Sequence, residues 1–168
     1  MKNLIKINLK QKIALPAAAI LLFILCGPLT QLVAYENSKV YLNGAMLVST
    51  MEDFFMPDMV LNLFHAIIMG VTAAVIFFGY VFSKKRVDLY HSIPVNRKKL
   101  FAANYVTGII VYYVGMLPAL IISIVIAAVN HYLTLKVLGN IVMTLVVNTV
   151  HFLYIYSATV FVIMITGN

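Results

Sequence analysis

The chain holds four apolar stretches, each long enough to cross a bilayer, and its charges gather between them. A helix needs about 20 mostly apolar residues to traverse the hydrocarbon core. The stretches cover about residues 13–35, 59–82, 100–129 and 140–166. Lipid offers backbone polar groups no partner, so apolar runs of this length read as helices and not as loops or open strands. Composition agrees, because 63% of the 168 residues are hydrophobic and 10% are charged. A soluble domain of this size still exposes roughly a third of its chain surface and could not hide so much apolar area. The expected fold is an all-α membrane protein, one transmembrane domain of four helices over residues 1–168.

Charge placement gives the orientation. Ten of the 12 basic residues precede the first stretch or join the second to the third: Lys2, Lys6, Lys10, Lys12, Lys84, Lys85, Arg86, Arg97, Lys98 and Lys99. Only Lys39 and Lys136 lie elsewhere, and Glu36, Glu52, Asp53 and Asp58 sit between the first two stretches. Cytoplasmic segments carry the excess of Lys and Arg, so both termini are expected in the cytoplasm. The net charge of +7 then reflects topology and membrane lipid, and no nucleic-acid partner is expected. The single Cys26 cannot form an internal disulfide and reads as a packing residue. Gly27-Pro28 is expected to kink the first span, and the segment from Glu36 to Asp58 to hold a short interfacial helix ending near Pro57. The chain closes on Thr166-Gly167-Asn168, directly after the fourth stretch, which suits a partial chain at least as well as a whole one.

No Asp, Glu, Lys or Arg falls in the middle of any stretch. Intramembrane proteases and ion-coupled carriers rely on such groups, because a buried charge is kept only where it works. The Gly-x-Ser-x-Gly, His-Glu-x-x-His and phosphate-loop patterns are also missing, so the chain is not expected to be an enzyme or to hydrolyse ATP itself. His65 and His151 lack a cluster of Cys, Asp or Glu, and no metal site is expected. Asn62, His65, Met69 and Thr72 share an arc of about 80° on the second span, and Thr144, Asn148 and His151 one of about 60° on the fourth. Two readings apply: a polar lining for a substrate path, or hydrogen bonds between helices, the plainer of the two. On the third span Gly108, Tyr112, Gly115 and Ala119 form a stripe that lets helices approach closely, and Gly70 and Ala74 repeat the pattern weakly on the second.

The segment from Ser83 to Phe101 is the most informative. Basic bias accounts for its cations but not for Val87, Leu89, Tyr90 and Ile93, spaced like a turn and a half of helix that Pro94 ends. Asn96 is placed to cap the next helix. Arg97, Lys98 and Lys99 then occupy that helix's first turn, where the macrodipole disfavours cations by about 0.3–1 kcal/mol each. Topology, anionic lipid or an acidic partner must favour them there. Such an apolar-tipped helix under the membrane is a docking element or an interfacial turn on headgroups.

The stretch Ser83-Lys-Lys-Arg-Val-Asp-Leu-Tyr-His-Ser-Ile-Pro-Val-Asn-Arg-Lys-Lys-Leu-Phe101, followed by Asn104-Tyr105 and Gly108, resembles bacterial ATP-binding-cassette (ABC) transporter permeases of the type-2 exporter class. The resemblance implies an N-terminal interfacial elbow helix over Lys2 to Lys12. It also implies that the cytoplasmic loop, residues 83–99, carries a coupling helix seated in an ATPase subunit. That role would fall on Val87, Asp88, Leu89, Tyr90, His91, Ser92 and Ile93, with Pro94 and Arg97 just after. The chain would be a multi-pass permease of the bacterial inner membrane, paired with a second permease subunit as a homo- or heterodimer and with cytoplasmic ABC ATPases. Those ATPases would bind ATP and Mg, leaving no cofactor in this chain. Such permeases commonly have about six spans and this chain has four, which implies the first part of a longer permease or a short variant. The alternative is a non-transporting membrane subunit or sensor that docks a cytoplasmic partner through the same loop.

Overall fold

The computed structural model describes residues 2–84, Val87 and 96–167. Among them every regular element is helical. Helix α1 (Lys2–Gln11) leads into a first span built from α2 (Ala14–Ile24), a π-helical turn (Leu25–Leu29) and α3 (Thr30–Tyr41). Helix α4 (Gly44–Phe54) follows, then α5 (Met59–Phe78) with a 3-10 extension (Gly79–Phe82), α6 (Arg97–Val129) and α7 (Leu135–Thr166). Four segments are long and apolar enough to cross a membrane: Ala14–Tyr41, Val60–Phe82, Arg97–Val129 and Leu135–Thr166.

The first span runs past residue 35 to Tyr41, and the fourth begins at Leu135, earlier than hydropathy places it. Caps explain the difference, since helices end where backbone donors are satisfied and not where lipid ends. Thr134 Oγ1 accepts from the Val137 N–H at 3.2 Å, and Asn96 Oδ1 accepts from the Lys98 N–H at 2.9 Å. Asp58 Oδ1 accepts from the N–H groups of Val60 and Leu61 at the start of α5. At 1.5 Å per residue α6 is about 50 Å long, well beyond a hydrocarbon core of about 30 Å. Pro28 supplies no N–H, and the first span widens there into the π turn. Thr30 Oγ1 lies 2.8 Å from the carbonyls of both Cys26 and Gly27, returning a donor to the turn that proline opened.

The spans pack as two parallel pairs, first with third and second with fourth. Between the first and third, a Cβ built on Gly115 would lie 2.8 Å from Ala19 Cβ and 2.9 Å from the Ala19 carbonyl carbon. Between the second and fourth, a Cβ on Gly70 would stand 3.1 Å from the Tyr156 backbone nitrogen. Gly108 instead makes room for the Tyr156 ring. A ladder of stacked rings, Tyr112 on Phe152 at 3.9 Å and Phe152 on Tyr156 at 5.3 Å, joins the pairs. In lipid such close packing replaces the hydrophobic drive that holds soluble cores together. Leu21, Val60, Val125, Val150 and Phe161 are exposed, as lipid-facing side chains should be.

Helices α1 and α4 close opposite ends of the bundle. Buried Asn8 donates through Nδ2 to Asn104 Oδ1 at 2.7 Å, and Asn104 Nδ2 donates to the Phe77 carbonyl at 3.2 Å. Lys12 donates to the Ile76 carbonyl in the last turn of α5, where the helix dipole favours a cation. Helix α1 is thereby tied to both helices that flank residues 83–96. Of the helix expected over Val87–Ile93, only Val87 lies among the described residues, its N–H bonding the Ser83 carbonyl at 2.9 Å. Asp88, Leu89, Tyr90, His91, Ser92, Ile93 and Pro94 fall outside them.

At the acidic end, α4 ends at Phe54, just ahead of Pro57. It buries Met51 against Tyr35, Ala127 and Tyr132. Tyr132 reaches that cluster because α6 ends with His131 at φ 59°, its N–H and that of Tyr132 turning back to Ala128 and Ala127. Glu52 is the fastening: Oε1 accepts from the Thr134 hydroxyl at 2.7 Å, Oε2 pairs with Lys136 at 3.1 Å, and its carbonyl accepts from Asn140 Nδ2 at 3.0 Å. The Thr134 hydrogen bond first, and then Lys136, hold the Glu52 carboxyl below its ordinary value of 4.5. A depressed carboxyl contributes stability that is present above its ordinary value and lost as pH falls through the folded-state one. Helix α4 should therefore stay docked at neutral pH and loosen in acid. With Cys26→Ser, a buried Met51→Cys thiol should resist a dipyridyl disulfide at neutral pH and react as the pH drops well below 4.5. Adding Glu52→Gln, which removes the titrating group but leaves an oxygen for the Thr134 hydroxyl, should flatten the acid-dependent part of the profile.

Candidate functional site

A cavity of about 710 Å³ lies between all four spans in the half of the bundle that α4 closes. The first span lines it with its π turn, Leu25 to Pro28, and with Phe23 and Gln31 on either side of that turn. The halves of the second and fourth spans nearer α4 supply Asn62, His65, Thr144 and Asn148, and the third supplies Met116, Ala119 and Ser123. Asp53 in the last turn of α4, and Phe55 and Asp58 in the turn entering α5, complete the lining. The opened helical turn puts a concave surface where a regular helix would put side chains. Local sequence thus builds the hollow: proline widens the turn, and Gly27 leaves nothing within 4 Å of where a Cβ would stand.

The polar groups here are incompletely matched. Gln31 Nε2 donates to the Ser123 carbonyl at 3.0 Å and to Tyr132 Oη at 2.7 Å, while Gln31 Oε1 has no partner in the structure. Asn62 Nδ2, His65 Nε2 and Asn148 Oδ1 are buried and unpartnered in the same way. The His65 ring stacks on Phe23 at 5.7 Å and bonds the Leu61 backbone. Buried polar atoms are nearly always satisfied, so four unmatched ones on side chains that line one hollow mark this as the least completely bonded part of the bundle.

Of the six polar residues that sequence assigns to a path, Asn62, His65, Thr144 and Asn148 line this cavity and Thr72 and His151 do not. Thr144 Oγ1 donates to the Phe55 carbonyl at 3.3 Å, and His151 Nδ1 contacts the Val147 carbonyl of its own helix at 2.8 Å. Tyr112 lies in the ring ladder, and Ala119 of the small-residue stripe lines the cavity. Sequence reasoning passed over Gln31, Ser123 and Asp53 as cavity residues. Gln31 did carry a signal, being an amide within the most apolar part of the chain. Among the described residues no three His, Cys, Asp or Glu side chains meet in a way that could hold a metal ion. Of the residues assigned to ATPase docking, Arg97 is described and is exposed at the first turn of α6. No protein-family model, curated protein or solved structure matches the chain.

Proposed function

We propose that the chain is a membrane subunit of an ATP-driven exporter, moving a substrate through the cavity when a separate cytoplasmic ATPase acts on residues 83–99. The observation that carries this reading is the cavity between the four spans, whose lining includes the polar side chains Gln31, Asn62, His65, Ser123, Thr144 and Asn148. Two further features support it. The chain has no phosphate loop and no mid-span carboxylate, so energy must come from a partner. Asn8 of helix α1 bonds Asn104 on one side of the loop, Lys12 just after α1 bonds the Ile76 carbonyl on the other, and Asn104 itself bonds the Phe77 carbonyl. A push on the loop is thereby shared by the second and third spans. In this reading the basic end faces the cytoplasm of a bacterial cell, Lys2 to Lys12 form the elbow, and Val87 to Ile93 form the coupling helix. A second permease subunit completes the pathway, and the partner ATPases bind ATP and Mg.

The test is purification of the chain from its own membranes under mild detergent, with assay of the associated ATPase. Wild type should bring down a nucleotide-binding subunit. Tyr90→Asp and Ile93→Asp should lose it while remaining membrane-inserted, because an unpaired carboxylate pressed into an apolar groove costs several kcal/mol. A partner without nucleotide-binding activity on the same loop would replace this reading with the non-transporting subunit. Normal ATPase association by both variants would show that the loop lies on lipid.

A further inference from the structure

Helix α4 is held less firmly than the spans around it. Met51 is the one buried side chain of its 11 residues, packed against Tyr35, Ala127 and Tyr132. Its polar ties lead to the start of α7. Glu52 Oε1 accepts from the Thr134 hydroxyl at 2.7 Å, Oε2 pairs with Lys136 at 3.1 Å, and the Glu52 carbonyl accepts from Asn140 Nδ2 at 3.0 Å. The Lys136 side chain is half exposed, so water can replace the ion pair at little cost. The spans, by contrast, meet with a backbone against Gly70 and Gly115. A helix with one buried side chain and a wetted ion pair belongs to the part of a fold that opens most easily.

Both ends of α4 are built to turn. Leu42 and Asn43 are extended, and Gly44 takes a φ of 46° with nothing within 4 Å of where a Cβ would stand. Glycine adopts that conformation without the cost a side chain would add. At the other end α4 stops at Phe54 and α5 starts at Met59, leaving a short non-helical connection that contains Pro57. The last turn of α4 and this connection are also cavity wall, since every residue from Asp53 to Asp58 lines the hollow. Thr144 Oγ1 donates to the Phe55 carbonyl at 3.3 Å, so α7 holds this wall as well as Glu52. Short connections that absorb the backbone change on either side of a rigid element are the usual hinges of a moving segment.

We propose that α4 is a gate, which swings on residues 42–44 and 55–57 to open the cavity to water at the acidic end, with Glu52 as its latch to Thr134 and Lys136. Opening lifts Met51 from its seat and carries the wall from Asp53 to Phe55 away from α7. The four spans keep their packing, because none of the glycine contacts between them involves α4. Such a gate supplies one opening of the transport path and to that extent rests on the transport reading.

The experiment uses the whole chain in phosphatidylcholine nanodiscs, which leave both faces in buffer, and its single native thiol. Cys26 lies on the π turn that lines the cavity. The probe is a trimethylammonium methanethiosulfonate, which cannot cross lipid and needs a watery route to the thiol. Wild-type Cys26 should react at least about tenfold more slowly than an exposed Ser49→Cys thiol in a Cys26→Ser chain. Glu52→Lys, which replaces the attraction to Lys136 with repulsion, should accelerate Cys26 roughly tenfold. Adding Lys136→Glu restores an ion pair of opposite sense and should return the rate to within about threefold of wild type. A buried Thr107→Cys thiol in the Cys26→Ser chain, on the third span and outside the cavity lining, should stay unreactive when Glu52→Lys is added. Fast labelling of wild-type Cys26, or a rate indifferent to Glu52→Lys, would overturn the gate. Acceleration at Thr107→Cys as well would overturn it in favour of general loosening of the bundle, and no recovery on adding Lys136→Glu would overturn the latch. Failure here leaves ATPase association through Tyr90 and Ile93 untouched, and failure of that association leaves the labelling result standing.

Discussion

Gly115→Leu is expected to abolish the folded bundle. Its Cβ would fall 2.9 Å from the Ala19 carbonyl carbon and 3.0 Å from Phe23 Cδ2, on a backbone that cannot rotate aside. The first and third spans would have to separate along their whole seam, forfeiting the contacts that hold helices together in lipid. Forced overpacking costs about 1–3 kcal/mol in a core that can relax, and a backbone obstacle places this change at or above the upper end. Gly108→Leu should cost less, because the obstacle there is the far end of the Tyr156 ring. Gly139→Leu is the control, with nothing within 4 Å of its added Cβ. Size exclusion after graded heating in mild detergent should show Gly115→Leu aggregating first and Gly139→Leu surviving like wild type. Survival of Gly115→Leu would mean that the first and third spans do not meet at Ala19.

Asn104→Leu should release helix α1. The change strands Asn8 Nδ2 and the Phe77 carbonyl, both buried, and an unsatisfied buried group costs about 1–3 kcal/mol. Trypsin cleavage after exposed Lys6 and Lys10 reports the opening of α1. Since 1.4 kcal/mol is a factor of ten in an opening equilibrium, cleavage should accelerate roughly tenfold. The double change Asn8→Leu with Asn104→Leu should be milder than the sum of the single ones, because removing both partners leaves fewer groups unpaired. Equal cleavage of wild type and Asn104→Leu would mean that α1 is held by other contacts.

The spans were legible because hydropathy adds residue by residue and asks nothing of distant chain. Their ends were not, since Thr134 and Asn96 extend helices through one hydrogen bond each. The helical wheel groups Asn62, His65 and Thr72 by angle, but it carries no depth. Ten residues separate Asn62 from Thr72, about 15 Å along the axis, and the cavity occupies only the Asn62 end. Angle also failed for His151, whose ring turns to the Val147 carbonyl. Gln31 needed Ser123 and Tyr132 to give it meaning, and Asn8 needed Asn104. Those partners lie 92, 101 and 96 residues away, beyond any local pattern.

Pairing the first span with the third has a consequence for how the chain is made. Asn8 meets Asn104 across 96 residues, and ribosomes add about 5–20 residues per second. The first span therefore waits roughly 5–20 s in the membrane before its partner has been synthesised. Throughout that interval Gln31 has neither Ser123 nor Tyr132 to bond, and the groove at Ala19 stands open to lipid. A nascent chain in that state is a natural client for an insertase or an intramembrane chaperone, and its window of vulnerability closes only when Gly115 slides into place.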